Sequence, residues 1–169
     1  CSSSESGGAI FVSPSARTVW FENIEARDCS SYLGGAIYSH DSAVAIQESN
    51  FENNHAIDAG GAVCANAASL ITMNTNFSFC SSGVWGGALF TPGSSLSVIG
   101  GTFRENYCEL WGGAIGTHTS SSVHITGAVL FLRNEAAMEG GAIISCWGSS
   151  VTIEDSVFEE NRAGFDGGA

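Results

Sequence analysis

The tripeptide Gly-Gly-Ala opens at Gly7, Gly34, Gly60, Gly86, Gly112, Gly140 and Gly167, so successive copies stand 27, 26, 26, 26, 28 and 27 residues apart. A fixed period in the twenties is the signature of a solenoid, in which each repeat is one supersecondary unit that cannot bury its apolar face alone and must stack on its neighbours. The spacing predicts an all-β stack of about six coils of 26–28 residues, not a globule around one closed centre.

A second signal runs in phase with the first. Phe51-x-x-Asn54, Phe103-x-x-Asn106, Phe131-x-x-Asn134 and Phe158-x-x-Asn161 each place the Phe nine residues before the next Gly-Gly-Ala, and Phe77-x-x-Cys80 keeps the place with Cys in the Asn slot. The first coil is degenerate. Counting back from Gly34 puts Ile24 or Glu25 in the Phe slot and Arg27 or Asp28 in the Asn slot, while Trp20-Phe21-Glu22-Asn23 resembles the motif displaced, so that coil carries either a bulge or a broken register.

Three short strands per coil follow from the side chains. An apolar residue follows each of the first six Gly-Gly-Ala copies (Ile10, Ile37, Val63, Leu89, Ile115, Ile143), then a polar loop, then period-two alternation with Val44/Ile46, Leu96/Val98, Val123/Ile125 and Val151/Ile153 on one side. Leu70/Thr72 fits that alternation less well. This pattern is that of a parallel β-helix with Phe, Ile and Val inside and Ser, Thr and Glu outside. Paired glycines suit a tight corner with positive φ and close backbone approach. A recurring Asn can satisfy corner backbone groups of its own and the next coil. Stacked Phe51, Phe77, Phe103, Phe131 and Phe158, about 4.8 Å apart, would form an internal aromatic column.

Composition narrows the partners. Asp and Glu number 17 against five Arg and no Lys, a formal charge of −12; little is available to neutralise phosphates, so nucleic acid and anionic membranes are not expected as partners. Six Cys (1, 29, 64, 80, 108, 146) without zinc-type C-x-x-C spacing favour an oxidising, extracellular compartment. No apolar run reaches the roughly 18 residues of a membrane span, and we read the chain as a single β-helix segment of a longer repeat protein, with any export signal or anchor outside it.

The paired motifs Gly-Gly-Ala-[Ile/Leu/Val] and Phe-x-x-Asn, alternating along nearly the whole chain, resemble the repeats of the chlamydial polymorphic membrane proteins. That resemblance implies a right-handed β-helix passenger of an autotransporter, displayed at the outer membrane and acting as an adhesin on a host receptor.

Among candidate sites, Trp85 and Trp111 precede Gly-Gly pairs in successive coils; they would either form an exposed hot spot or sugar platform, or shield a corner of the core. Asn76 in Asn76-Phe77-Ser78 is an N-glycosylation sequon that should point outward, opposite to Phe77. Cys80 and Cys108, in adjacent coils, are candidates for a cross-coil disulfide, while the sequence leaves the connectivity of the six Cys open. Glu154, Asp155, Glu159 and Glu160 lack a calcium-loop pattern and read as a solvated face, and His40 and His118 as loop residues, so no metal or cofactor is expected. The functional expectation is a non-enzymatic, extracellular module that binds a protein receptor, a glycan or a neighbouring subunit. A structural subunit of an external fibre or wall is the alternative. A polysaccharide lyase or epimerase is disfavoured, because Lys is absent and Arg104, Arg133 and Arg162 cluster at the Phe-x-x-Asn corner.

Overall fold

In the computed structural model, which describes residues 1–14 and 17–168, each Gly-Gly pair turns the chain so that one coil sits on the last. Gly60 shows why both residues are glycine: its φ is 66°, and a Cβ on Gly61 would lie 2.0 Å from the carbonyl oxygen of Gly87 in the next coil. The third residue is also constrained, since Ala36, Ala62, Ala88, Ala114 and Ala142 are all fully buried. Ala169, which completes the seventh tripeptide, lies outside the described residues.

The described residues form 22 strands and no helix, arranged as three parallel sheets of six, ten and six strands. One sheet starts after the Gly-Gly corner and stacks Ile10–Val12, Ile37–His40, Val63–Asn66, Leu89–Phe90, Ile115–Thr117 and Ile143–Ser145. The largest is built around Ala43–Gln47, Ser69–Ser78, Ser95–Arg104 and Ser122–Thr126. The third stacks Ser30–Leu33, His55–Ala59, Ser81–Ser82, Tyr107–Cys108, Glu135–Ala136 and Arg162–Ala163, leading back to the next Gly-Gly. This is a parallel β-solenoid of about six turns.

Because pairing is in register, each slot stacks on itself. Phe51 pairs with Phe77, Phe77 with Phe103, Phe103 with Phe131 and Phe131 with Phe158. Their ring centroids are 5.1, 4.9, 4.9 and 4.6 Å apart, with interplanar angles of 16° or less. Leu70 and Thr72 fall in the same slots as Val44 and Ile46 and are equally buried, so the weak alternation there is a Thr inside the core, its hydroxyl without a partner.

The Asn slot closes the corner behind each Phe. Asn106 Oδ1 accepts the Cys80 N–H at 3.0 Å while its Nδ2 donates to the Phe77 carbonyl at 3.0 Å. Asn134 and Asn161 repeat both bonds one coil further on, and Asn54 makes them to Cys29 and Ala26. The backbone partners belong to the preceding coil, and the amides also link to the following one, with Asn106 Nδ2 donating to Asn134 Oδ1 and Asn134 Nδ2 to Asn161 Oδ1, each at 2.9 Å. At the opposite corner serines do similar work: Ala68, Ser94 and Ser121 donate their N–H groups to the hydroxyls of Ser94, Ser121 and Ser149 at 3.0, 3.2 and 3.0 Å.

The first coil keeps the register with different residues. Ala26 pairs with Phe51 and occupies the Phe slot, in place of Ile24 or Glu25, and Cys29 takes the Asn slot. Trp20-Phe21-Glu22 belongs to the preceding strand Thr18–Glu22, where Phe21 pairs with Ile46. The stretch from the Phe slot to Gly-Gly is one residue short in this coil, and the ladder absorbs this as a register shift between Ser31 and Leu33 opposite His55–Ala59.

Phe103, fully buried with a ring stacked on each side, is the test of this core. Phe103→Ala should destabilise the chain by about 3–5 kcal/mol, whereas Ser97→Ala, on the outward side of the same strand, should stay within about 0.5 kcal/mol. Urea denaturation measures both. A loss under about 1 kcal/mol for Phe103→Ala would contradict the column.

Candidate functional site

Outside the barrel, the sheet that follows the Gly-Gly corner carries a second apolar cluster. Its outward row contains Tyr38, Cys64, Phe90 and Gly116 in register. Ala59, Cys64 and Phe90 are buried there, with Leu33, Tyr38 and Trp85 packed over them. Trp85 therefore covers apolar surface and presents a ring outward as well. Trp111 lies beside it in the next coil, centroids 4.6 Å apart and planes tilted by 32°.

Two further residues converge on this ridge. His118 sets its ring edge-on to Trp85 and to Phe90, each at 5.1 Å, and Trp147 stands 4.9 Å from His118 and 5.6 Å from Trp85. Trp147 is 67% exposed. Local chain length explains its position. Five residues separate Phe90 from Ser95, but six separate Gly116 from Ser122 and Ile144 from Ser150, positions that pair in register. The additional residue is accommodated by two consecutive left-handed residues, Trp147 at φ 52° and Gly148 at 79°. Gly116 makes room: a Cβ there would come 2.8 Å from the Gly86 nitrogen, and its bare position leaves the row open beside Phe90.

Next to the ridge runs an open groove of about 510 Å³, lined by Leu33, Asp58, Asn66, Phe90, Pro92 and His118 among others. Partial burial raises the Asp58 carboxyl above the usual carboxylate range, and burial lowers the His118 imidazole below its ordinary value, which favours its neutral form. The groove thus combines a carboxylate, an amide and an imidazole with apolar walls.

The other candidates lie elsewhere. Phe51, Phe77, Phe103, Phe131, Asn54, Asn106 and Asn134 are interior, and Phe158 and Asn161 are half-buried in the last coil. Asn76 is exposed on Ser69–Ser78 and donates to Asn50 Oδ1 at 3.0 Å. His40 and His118 are three coils apart, and no group of three or more His, Cys, Asp or Glu side chains gathers among the described residues. Arg133 pairs with Glu160 at 2.7 Å, which holds that carboxyl below its usual range, and Arg104 lies 5.2 Å over the Phe79 ring. Position relative to Gly-Gly singled out Trp85 and Trp111; Phe90 and Trp147 come from other slots, and His118, which shares the slot six residues after Gly-Gly with His40, reads as a loop residue in the sequence.

Among known proteins, the family model described as the Chlamydia polymorphic membrane protein (Chlamydia_PMP) repeat matches residues 48–66. The match spans one Phe51-x-x-Asn54 and the following Gly60-Gly61-Ala62-Val63, so the similarity falls on the two corner motifs. No curated protein and no solved structure matches the chain.

The cysteines depart from expectation. A bridge joins Cys1 to Cys29 with Cα atoms 4.4 Å apart, while Cys80 and Cys108 are free and buried. The reason is register: adjacent-coil cysteines can bond when they share a slot, as Cys1 and Cys29 do next to the Ser2–Ser30 bridge. Cys80 instead sits opposite Asn106, and Cys108 opposite Ser82 and Ala136. Burial pushes the Cys80 thiol up to about 12 and raises Cys64 and Cys108 as well. We expect Cys64, Cys80 and Cys108 to resist iodoacetamide in the native chain and to react once it is unfolded. Their thiols ionise more readily unfolded than folded, so stability should hold below about pH 9 and fall as pH rises toward 12. Peptide mapping that found a Cys80–Cys108 bridge would contradict the register.

Proposed function

We propose that this chain is a non-enzymatic, surface-displayed β-solenoid module that adheres to a partner through the ridge of Trp85, Trp111 and Trp147. The carrying observation is that these rings lie together outside a regular barrel whose own core is filled by another aromatic column. Buried or half-buried aromatic anchors at a surface are the usual material of binding hot spots. The similarity of residues 48–66 to a polymorphic membrane protein repeat supports display at a cell surface, where a rigid stack of coils presents its outer face. The placement of arginine supports a binding module over a lyase or epimerase. Arg27 pairs with Glu25 and Glu52, Arg104 with Glu105 and Arg133 with Glu160, each drawn into a charge pair on the corner.

Trp111 is the discriminating residue, because Trp85 also covers the outer apolar cluster and its removal would perturb folding. Purified chain should bind host-type cells saturably, and Trp111→Ala should weaken binding by about 1–2 kcal/mol, roughly tenfold, with an unchanged melting temperature. Equal binding by the variant would remove the ridge from this role. Turnover of any polysaccharide by the wild-type chain would overturn the non-enzymatic reading.

A further inference from the structure

We infer that the groove beside the aromatic ridge is a binding site for an uncharged oligosaccharide, with Trp147 as its stacking platform and Asp58 and Asn66 as its hydroxyl-binding groups. The assignment rests on the reading of this face as a binding surface and names the chemistry of what is bound. Three observations on different elements converge on it. The first is the Trp147 indole, 67% exposed, which borders the groove through its contact with the groove-lining His118 at 4.9 Å and meets Trp85 edge-on at 5.6 Å. A pyranose has one face of C–H bonds, electron-poor because each carbon bears oxygen, and that face suits the negative π surface of an indole.

The second is the polar lining. Asp58 and Asn66 lie in the groove on separate strands, His55–Ala59 and Val63–Asn66. A carboxylate accepts from two directions while an amide both donates and accepts, which is the combination that adjacent sugar hydroxyls need, each being donor and acceptor at once. Desolvation already raises the Asp58 carboxyl, and a hydroxyl donor would relieve that burial. Leu33, Phe90 and Pro92 supply apolar wall between the polar groups, as a ring with alternating polar and apolar edges requires.

Charge is the third. With a net charge of −12 and a carboxylate in the groove, a sialylated, sulfated or uronate chain would be repelled. A basic peptide is the competing occupant, since aromatic rings and acidic surface also attract cations. The groove favours the saccharide because its lining offers one carboxylate against an amide, the Thr119 hydroxyl in contact with His118, and the His118 imidazole itself, groups that bind hydroxyls and add little for a cation.

The purified chain is to be tested on immobilised neutral oligosaccharides of galactose, mannose and N-acetylglucosamine, with sialylated and sulfated counterparts and an oligo-arginine peptide alongside. We expect neutral sugars to be retained and anionic ones not, with affinity by calorimetry unchanged between about 0.05 and 0.5 M salt. Trp147→Ala and Asp58→Asn should each weaken binding by about tenfold at an unchanged melting temperature. Bound sugar should also shift tryptophan fluorescence in the wild type and not in Trp147→Phe. Retention of no neutral sugar, or equal retention by both variants, overturns the assignment. So does salt-sensitive capture of the arginine peptide alone. A chain that adheres to cells through Trp111 while binding no sugar refutes this site and leaves the adhesive reading standing; one that does neither refutes both.

Discussion

Parallel pairing in register makes every residue the neighbour of its own equivalent one turn away, about 4.8 Å along the axis. Each side chain must therefore be compatible with a copy of itself, or with whatever replaces it, directly above and below. Phe meets that condition well, because offset stacked rings attract, and four of the five lie fully buried in one column. Charge meets it badly. The corner row Asp28, Asn53, Phe79, Glu105, Arg133, Glu160 shows how an acidic chain copes, with an amide, a ring or a guanidinium between successive carboxylates. Asn53 donates to Asp28, and Arg133 stands between Glu105 and Glu160. The net charge of −12 is thus compatible with stacking because like charges seldom follow one another in a row.

Corners are where such a barrel is most exposed to failure, since turning the chain inside a stack buries backbone groups that no strand can pair. The interior amides answer this. Each Asn bonds an N–H and a carbonyl of the coil before it, so a single side chain fastens two turns at their tightest point. Cys80 fills the same slot with a thiol 3.7 Å from the Phe51 carbonyl, a longer and weaker donor, and Cys29 fills it with half of a disulfide. The slot accepts Asn or Cys because both are small enough to be buried and can reach the preceding coil. Outside the slot, one left-handed residue per corner recurs without being glycine, as at Asp28, Asn53 and Glu105, where the side chain points to solvent.

Most of the barrel was legible because the same residue types recur in the same slots: Gly-Gly-Ala, the apolar residue after it, and Phe-x-x-Asn each mark a position that stacks on itself. What was illegible follows from the same rule. Ala26 and Cys29 hold the Phe and Asn slots of the first coil, and neither residue resembles what it replaces; only the pairing of Ala26 with Phe51 reveals them. The cysteine pairing required the register to within one residue, and Cys80 to Cys108 is two residues longer than the 26-residue offset that relates Ser81 to Tyr107. The ridge was half legible. Trp85 and Trp111 share a slot, whereas Phe90, His118 and Trp147 meet only because one outer row lacks a side chain at Gly116 and a turn is one residue longer before Ser150.

That contrast locates where such a scaffold can specialise. Inside, a substitution is judged against both neighbours and regularity is enforced; Phe103 leaves no room for novelty without loss of its stacking on Phe77 and Phe131. Outside, a slot may differ from coil to coil provided the backbone ladder is kept, and an added residue is absorbed by a second left-handed position, as at Thr119-Ser120 and Trp147-Gly148. Irregularity is therefore informative in a repeat protein. The aromatic ridge and its groove lie where the outer rows stop repeating, yet they are anchored through Phe90 and Trp85 to a sheet whose register does not change. A binding face made this way inherits the stiffness of the stack while its chemistry is set by residues the repeat leaves free, which reduces the conformational freedom a ligand would otherwise have to restrict.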